Sequence, residues 1–462
     1  MEPIHGRPNA TGVWKPLLLL AAATFVFHLF FALYYATQSK NINVKLTLRL
    51  QGEEYLRAFP GWNTDSEGDS ALYNREATEI LRTGLPRQNN GRFSPYGTVY
   101  AYFLAACYGL GGIRLLPVAV PQAVLSSLIC LLVGLAAAYM EPRRRRGAAI
   151  AGALLVLVNL RFAMPVGFPL PTILMLFWFS LALFLIARSP SNPAPLVLAL
   201  VIGVAMHTDA AFLILGLATA LWLLADAART RSLGRLFAGL GVILVAGTSV
   251  LAVRATAAAR DYAAGKSAIG VLWEANNPYY ESMRLTSLWE RRPGNPWTHW
   301  SVTETEQKRF DEYRERAKRL RIDPGLLWVR ENPAQYATLC LIRLRTTLGP
   351  FTGMMSPRNR IISTFYWLLI FPAGLCGVWK CRQHSLAQFA AIAILAQVGF
   401  ESLVITEWYL RYRFPVDLLL TVFAAIAYAD WVISLSRRLR RQVAFTGAVA
   451  PDEMSPPPST LP

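Results

Sequence analysis

The sequence is short of charge. Only 16% of its 462 residues are Asp, Glu, Lys or Arg, whereas a soluble domain has about 25%. No charged residue occurs among the 24 residues between Lys15 and Lys40, or among the 26 between Arg114 and Glu141. Because the helices of soluble proteins keep a polar face, these windows exclude a soluble helical protein and indicate a chain that crosses a membrane.

Cysteine is scarce as well. The chain has five cysteines, and no spacing between them resembles a zinc site or a disulfide framework. A signal-peptide cleavage site is also missing. The first apolar window is too long for a signal-peptide core and no A-x-A-like sequence follows it, so we expect it to stay in the protein as the first span.

Long apolar windows are abundant instead, and 54% of the residues are hydrophobic. A helical span needs about 20 mainly apolar residues. The windows predict an all-α polytopic membrane protein with about ten transmembrane helices. The predicted spans are 16–36, 116–139, 147–164, 171–187, 196–207, 209–225, 236–253, 361–379, 386–406 and 413–433.

The segment 96–113 decides the predicted orientation. It is short and contains four tyrosines and four glycines, so we interpret it as an amphipathic helix lying in the membrane interface. A further span here would leave one end of the chain in conflict with the positive-inside rule. Both termini are then cytoplasmic, and basic residues fill the short cytoplasmic loops. These residues are Arg143, Arg144, Arg145, Arg146, Arg188, Arg229, Arg231, Arg235, Lys380, Arg382, Arg437, Arg438, Arg440 and Arg441.

Two long segments, 37–115 and 254–360, lie outside the cytoplasm in this topology. The predicted division of the chain is a membrane module over 1–253, the outer loop 254–360, the last spans over 361–441 and a disordered Pro/Ser-rich tail over 442–462. The second loop is net basic, which suits an anionic partner such as lipid phosphate, although a solvated surface explains it equally well. Membrane lipid is thus a predicted partner and nucleic acid is not.

Charged residues inside spans are costly and usually mark function. In the predicted topology, such residues lie at one depth, near the outer boundary of the membrane. They are Arg161, Asp209, Glu401, Glu407, Arg411, Arg413 and Asp417. We expect the cytoplasmic half of every span to be free of charge. Snorkelling explains Arg161 and Arg411 but not Glu401 or Asp417, so the layer predicts an outward-facing site for chemistry on a lipid phosphate.

Three stretches carry a family resemblance. The first contains Asp69, Tyr73 and Ala77 in D-x-x-x-Y-x-x-x-A spacing, followed by Gly84 and a Pro/Tyr-rich stretch. The second is Ala-Asn-Asn-Pro-Tyr over 275–279, and the third is Glu-Trp-Tyr-Leu-Arg-Tyr-Arg-Phe-Pro over 407–415. In this order the stretches resemble the GT-C superfamily of membrane glycosyltransferases, in particular the bacterial relatives of protein O-mannosyltransferases and of the aminoarabinose transferase that modifies lipid A.

The resemblance implies an enzyme of a bacterial inner membrane with its active site facing the exterior. It implies a polyprenyl-phosphate sugar as donor and a glycan, lipid or protein as acceptor. Asp69 would be the general base, and the sugar would be transferred with inversion. Arg411 and Arg413 would bind the donor phosphate. Asp69 also fits an ordinary helix N-cap, and the two roles can coexist.

The resemblance also suggests further substrate-binding residues. They are Tyr73, His207, Asp209, Asn276, Asn277 and Glu407. Simpler explanations exist for several of them, since Asn276 and Asn277 precede a proline and suit a turn, and His207 suits an interface hydrogen bond.

The sequence departs from the family pattern at two places. Ser70 follows Asp69 where the family often has a second acid, and Glu67 or Asp65 could stand in for it. His207-Thr208-Asp209 occupies a turn that often reads Thr-Arg-Pro. The loop 165–170 has no acid, which gives no support to a metal site there. His207 and Asp209 could both bind a divalent metal, but two ligands are too few to predict a site. The sequence therefore leaves metal dependence open.

Two other functions fit parts of the pattern. A lipid-linked glycan flippase would show inverted repeats and polar residues at the midplane, which the sequence lacks. A glycan polymerase or ligase would also work on lipid-linked sugars but has no need of Asp69, so an Asp69→Asn variant separates it from a transferase.

Overall fold

The computed structural model describes residues 11–38, 69–86, 97–188, 195–209, 212–255, 304–350, 357–404 and 410–447. These residues form α-helices joined by short turns and contain no β-strand. The all-α prediction is therefore confirmed for the described part of the chain.

Eight of the described helices lie between residues 11 and 208. They are α1 (Thr11–Gln38), α2 (Asp69–Thr83), α3 (Thr98–Gly111), α4 (Leu116–Met140), α5 (Arg145–Leu157), α6 (Leu160–Ala163), α7 (Thr172–Arg188) and α8 (Pro195–Thr208). Single turns of 3-10 helix, Pro142–Arg144 and Met164–Gly167, precede α5 and follow α6.

The remaining described helices lie between residues 212 and 447. They are α9 (Phe212–Thr230), α10 (Leu233–Ala255), α11 (Glu304–Leu320), α12 (Pro324–Glu331), α13 (Pro333–Leu348), α14 (Pro357–Lys380), α15 (Ser385–Val404) and α16 (Leu410–Gly447). Helix α16 continues past the predicted start of the disordered tail at 442, and residues 448–462 lie outside the described part.

Nine of the ten predicted spans each fall on one helix, and the span 147–164 falls on α5 and α6 with the break between them. Within the described residues, six helices are long and apolar enough to cross a membrane, and the pair α5 and α6 makes a seventh when it is counted as one bent span. Three more predicted spans fall on shorter apolar stretches, Thr172–Arg188, Pro195–Thr208 and Leu233–Thr248. A multi-pass membrane protein is thus confirmed, whereas the count of ten and the orientation stay predictions.

The segment predicted to lie in the interface is helix α3. It has 14 residues, fewer than the roughly 20 that a straight span needs. It packs against α2 on one side and against α4 and α8 on others. Its place in the membrane interface stays a prediction.

Small residues let the membrane helices approach closely. A Cβ atom added to Gly377 in α14 would overlap the backbone carbonyl of Phe423 in α16, and one added to Gly374 would lie 2.8 Å from the carbonyl of Leu420. Close packing of this kind is a main source of helix association in membranes, because lipid tails are as apolar as the side chains. Helices α14 and α16 therefore form a tight pair, and α16 also packs along α5.

At one end of the bundle, the end of α1 lies beside the Asn159–Gly167 region. The Cβ position of Gly167 is 2.9 Å from the Ala32 carbonyl of α1. We call this end of the bundle the loop-bearing end, because the chain leaves α1 there for the first long loop. Helix α4 begins at the same end, and Gln122 of α4 donates from Nε2 to the carbonyls of Val166 (3.0 Å) and Phe168 (2.8 Å). Helices α2 and α3, which precede α4, are thereby placed at this end.

Candidate active site

An ion triad lies at the loop-bearing end. Asp417 of α16 bonds with one carboxylate oxygen to Arg161 Nη1 (3.1 Å) and with the other to Arg413 Nε (3.1 Å). Arg413 and Asp417 are four residues apart on one helix, where side chains share a face, and α6 brings Arg161 to them from another part of the chain. All three side chains are buried. A single carboxylate is therefore shared by two arginines.

Glu401 of α15 is the second acid of this group. Gln397, one turn earlier on α15, donates from Nε2 to Glu401 Oε1 (3.1 Å). The hydroxyl of Thr347 on α13 also hydrogen-bonds Glu401, which is close enough to Arg413 and Asp417 for electrostatic interaction. We call Arg161, Glu401, Arg413 and Asp417 the charged cluster. It unites residues that are more than 250 positions apart in the sequence.

The C-terminal end of α13 is fixed to the cluster. The last carbonyls of a helix have no partner within it and carry partial negative charge. Here the carbonyl of Leu348 accepts from Trp367 Nε1 (2.7 Å), that of Gly349 from Arg413 Nη1, and that of Pro350 from the Ser363 hydroxyl (2.5 Å). The end of α13 is thus docked on α14 and α16 at the charged cluster.

Arg161 has hydrogen-bonding capacity left over. Its side chain is 8% exposed, and only Nη1 reaches Asp417. Within the described residues, Nε and Nη2 are buried and have no hydrogen-bond partner. The guanidinium carbon lies 5.6 Å from the ring centre of Phe414, a weak cation–π contact. Buried N–H groups without partners are costly, so these two donors suit a ligand that supplies acceptors.

A third buried arginine, Arg343, belongs to α13. It is 1% exposed and lies one helical turn before Thr347, so both residues are on the same face of α13.

At the opposite end of the bundle, the expectation that the cytoplasmic half of every span is free of charge is wrong. Asp430 lies within the predicted span 413–433, so the cytoplasmic half of the spans is not free of charge. Its carboxylate pairs with Lys380 and Arg144, and Lys380 also reaches Glu141 (3.4 Å). This network ties α16 to α14 and to the turn before α5. It is more exposed than the charged cluster, with Asp430 at 26%, and serves the packing of helix ends.

Asp69 is the first residue of α2. Its side chain lies outside the described part, so its predicted roles stay predictions. Four residues on, Tyr73 is buried and its ring meets Tyr100 of α3 edge-on at 5.2 Å between centres. Gly97, with φ of +80°, leaves no room for a Cβ beside the Tyr73 ring. Helix α2 is therefore held firmly against α3 close to Asp69.

The remaining predicted residues are only partly described. His207 is half-buried and Asp209 is buried where α8 ends, at the loop-bearing end. The side chain of Arg411 is outside the described part, as are Asn276, Asn277, Glu407 and the two stand-in acids Asp65 and Glu67. In the part of the chain that the structure covers, no group of three His, Cys, Asp or Glu side chains could hold a metal ion.

Solved structures with a similar architecture exist. ArnT from Cupriavidus metallidurans in the apo state superposes with a TM-score of 0.47 at 15% sequence identity, over 91% of this chain and 60% of that one. The archaeal oligosaccharyltransferase AglB from Archaeoglobus fulgidus, solved with an inhibitory peptide and a dolichol-phosphate, superposes with a TM-score of 0.50 at 14% identity, over 97% of this chain and 53% of that one. This chain thus spans a little over half the length of either protein.

The chain has the GT-C fold. The fold prediction is confirmed by this likeness and by the helices themselves. No protein-family model matches the sequence, and no curated protein matches it. At such low identity the likeness establishes the GT-C fold alone, and the chemistry has to come from the residues.

Sequence reasoning missed several residues that contact the charged cluster. Gln397, Thr347 and the carbonyl of Gly349 are uncharged and were invisible to a search for charge within spans. Arg161 was assigned to snorkelling, whereas it is buried and paired with Asp417. The contact that reveals its role joins residues 256 positions apart, which no local pattern signals.

Proposed function

We propose that this protein is a glycosyltransferase that moves a monosaccharide from a polyprenyl-phosphate donor to an acceptor hydroxyl, with inversion. The observation that carries the proposal is Arg161, a buried member of the charged cluster in a chain with the GT-C fold. Two of its donor nitrogens have no hydrogen-bond partner among the described residues. Planar guanidinium groups bind phosphate oxygens through parallel N–H bonds. We therefore assign Arg161 to the donor phosphate.

The reaction changes the charge of this ligand. The phosphodiester of a polyprenyl-phosphate sugar has one negative charge. When the sugar leaves, the product is a phosphate monoester with a charge of about −1.5 to −2. The arginines would stabilise this developing charge, which is the usual basis of electrostatic catalysis.

Asp69 is proposed as the general base at the other side of the sugar. It would take the proton of the acceptor hydroxyl as the acceptor oxygen attacks the anomeric carbon. The bond from that carbon to the phosphate oxygen breaks, and polyprenyl phosphate departs. One displacement inverts the anomeric centre and needs no enzyme nucleophile.

We keep Arg411 and Arg413 as proposed ligands of the donor phosphate, but the contacts that Arg413 already makes limit its contribution. Arg413 already gives Nε to Asp417 and an N–H of Nη1 to Gly349, so it has fewer free donors than Arg161. Its main contribution in our proposal is to orient Asp417 and to fix α13 over the site. The dolichol-phosphate bound to AglB supports a lipid phosphate of this kind as the ligand.

Binding of the lipid product tests the assignment without knowledge of the sugar. Native mass spectrometry would measure retention of a long-chain polyprenyl phosphate by the delipidated protein. A charge-assisted hydrogen bond contributes about 1.5–3 kcal/mol, so Arg161→Gln should weaken binding by about 10- to 100-fold. Arg437→Gln, an exposed arginine at the opposite end of α16, is the matched control and should bind normally.

Two results would contradict the proposal. Equal retention by wild type and Arg161→Gln would remove Arg161 from the phosphate site. Equal retention of the matching polyprenol, which has no phosphate, would show that the chain binds the prenyl tail and not the phosphate.

A further inference from the structure

His28 is a buried polar residue that the proposed chemistry does not use. It lies in the middle of α1 and is completely inaccessible to solvent. Both ring nitrogens are occupied, Nδ1 with the hydroxyl of Ser126 on α4 (2.7 Å) and Nε2 with the backbone carbonyl of Leu157 (3.0 Å). Leu157 is the last residue of α5. The ring therefore joins three helices at the point where α5 ends.

The Leu157 carbonyl needs an outside donor because the helix breaks there. In a continuous helix it would accept from the backbone N–H of Arg161. That N–H bonds instead to the side chain of Asn159 (3.1 Å), which caps α6. Asn side chains compete for backbone groups in this way. Helices α5 and α6 consequently meet at 57°.

The two bonds define the state of the ring. A carbonyl oxygen can only accept, so Nε2 carries a proton, and a neutral ring then accepts from Ser126 at Nδ1. The imidazole satisfies a backbone acceptor without placing a charge among apolar helices, where an unpaired charge is expensive. An unsatisfied carbonyl at this depth would itself cost several kcal/mol.

We propose that His28 is a positioning residue for Arg161. By supplying the donor that the Leu157 carbonyl lacks, His28 stabilises the bend between α5 and α6. The bend turns Arg161, the second residue of α6, towards Asp417. The part of this proposal that concerns the donor lipid rests on the proposed function, and the part that concerns the bend does not.

The bend can be measured directly. Spin labels at the exposed positions Arg146 and Met164, in a background with the five cysteines replaced by alanine, report the distance across it. With a rise of 1.5 Å per residue, straightening the 57° bend lengthens this distance by about 3 Å. Pulsed electron paramagnetic resonance on protein in nanodiscs resolves such a change.

Four variants separate the role of His28 from general packing. His28→Phe keeps a ring but removes the donor and should lengthen the distance, whereas His28→Gln keeps an amide donor near Nε2 and should restore it. Ser126→Ala removes only the partner of Nδ1 and should leave the distance unchanged. Ser127→Ala, the neighbouring hydroxyl that bonds within its own helix, is the control.

Asn159→Ala is a further variant, which tests the bend if His28→Phe does not fold. Asn159→Ala frees the Arg161 N–H for the Leu157 carbonyl, which favours a straight helix and should also lengthen the distance.

Binding of polyprenyl phosphate gives the functional readout. Displacement of Arg161 removes the charge-assisted hydrogen bonds assigned to it, so His28→Phe should weaken phosphate binding at least about tenfold, with recovery in His28→Gln. An unchanged distance in both His28→Phe and Asn159→Ala overturns the role of His28 in the bend. A lengthened distance with normal phosphate binding supports that role and contradicts the proposed function of Arg161 instead.

Discussion

Asp417→Asn tests how much the charged cluster contributes to stability. The substitution keeps the size of the side chain but removes the charge shared by Arg161 and Arg413, whose N–O distances to it are both 3.1 Å. The two buried arginines would then face each other without this counter-charge. Removing one partner of a buried ion pair costs about 3–5 kcal/mol, and here one carboxylate serves two partners, so we expect the upper part of that range.

Asp430→Asn is a matched control on the same helix. Asp430 also bonds two cations, Lys380 and Arg144, but its side chain is 26% exposed. Ion pairs that water can reach contribute about 0–1 kcal/mol. Both variants, purified in the same detergent, would be compared with wild type by thermal unfolding followed through tryptophan fluorescence at one scan rate.

A double variant then shows whether the stability lost in Asp417→Asn depends on Arg161. If Asp417 stabilises the fold through Arg161, Asp417→Asn combined with Arg161→Gln should lose less stability than the sum of the single variants, with a coupling of about 0.5–3 kcal/mol. The reasoning is refuted if Asp417→Asn is no less stable than Asp430→Asn, or if the two losses add without coupling.

Two further predictions concern packing and pH. Gly377→Ala should sharply reduce expression and thermal stability, because its Cβ would overlap the carbonyl of Phe423, whereas Gly399→Ala, which has open space around it, should leave both nearly unchanged; equal behaviour would contradict the tight helix pair. Burial lowers the pKa of His384 below its usual 6.5, so the folded state binds fewer protons than the unfolded chain and stability should fall as the pH drops through 6.5 and below. His384 accepts from the N–H of Leu386 at the start of α15 (3.1 Å), so His384→Asn should keep the cap and flatten the stability profile between pH 7 and 5; an unaltered profile would refute this assignment.

The membrane helices could be predicted because their signal is local. Apolar windows bounded by charge predicted one helix correctly for every span except 147–164. The bend at Val158 and Asn159 was not predicted, since the window 147–164 reads as one apolar run. The side-chain bond from Asn159 to the Arg161 backbone breaks the helix, and a hydropathy window does not register such a bond.

The charged cluster was predictable in part. Charges inside apolar windows identified Arg161, Glu401, Arg413 and Asp417 as unusual, and all four lie together. Their roles could not be predicted, because pairing depends on which helices become neighbours. The same search overlooked His28, which is neutral and lies within an apolar helix, although a histidine in the middle of a span is itself a signal of buried hydrogen bonding.

The central claim is that the chain transfers a sugar from a polyprenyl-phosphate donor with Asp69 as base. The most direct measurement is the release of free polyprenyl phosphate from total donor lipids in membranes that contain the wild-type protein or its Asp69→Asn variant, with protein amounts matched by immunoblot. General-base catalysis contributes about 100- to 10,000-fold, so wild-type membranes should release polyprenyl phosphate and form a glycosylated product, while the variant should do neither within the same time. Full release and product formation by Asp69→Asn, or release by wild type without any glycosylated product, would contradict the account.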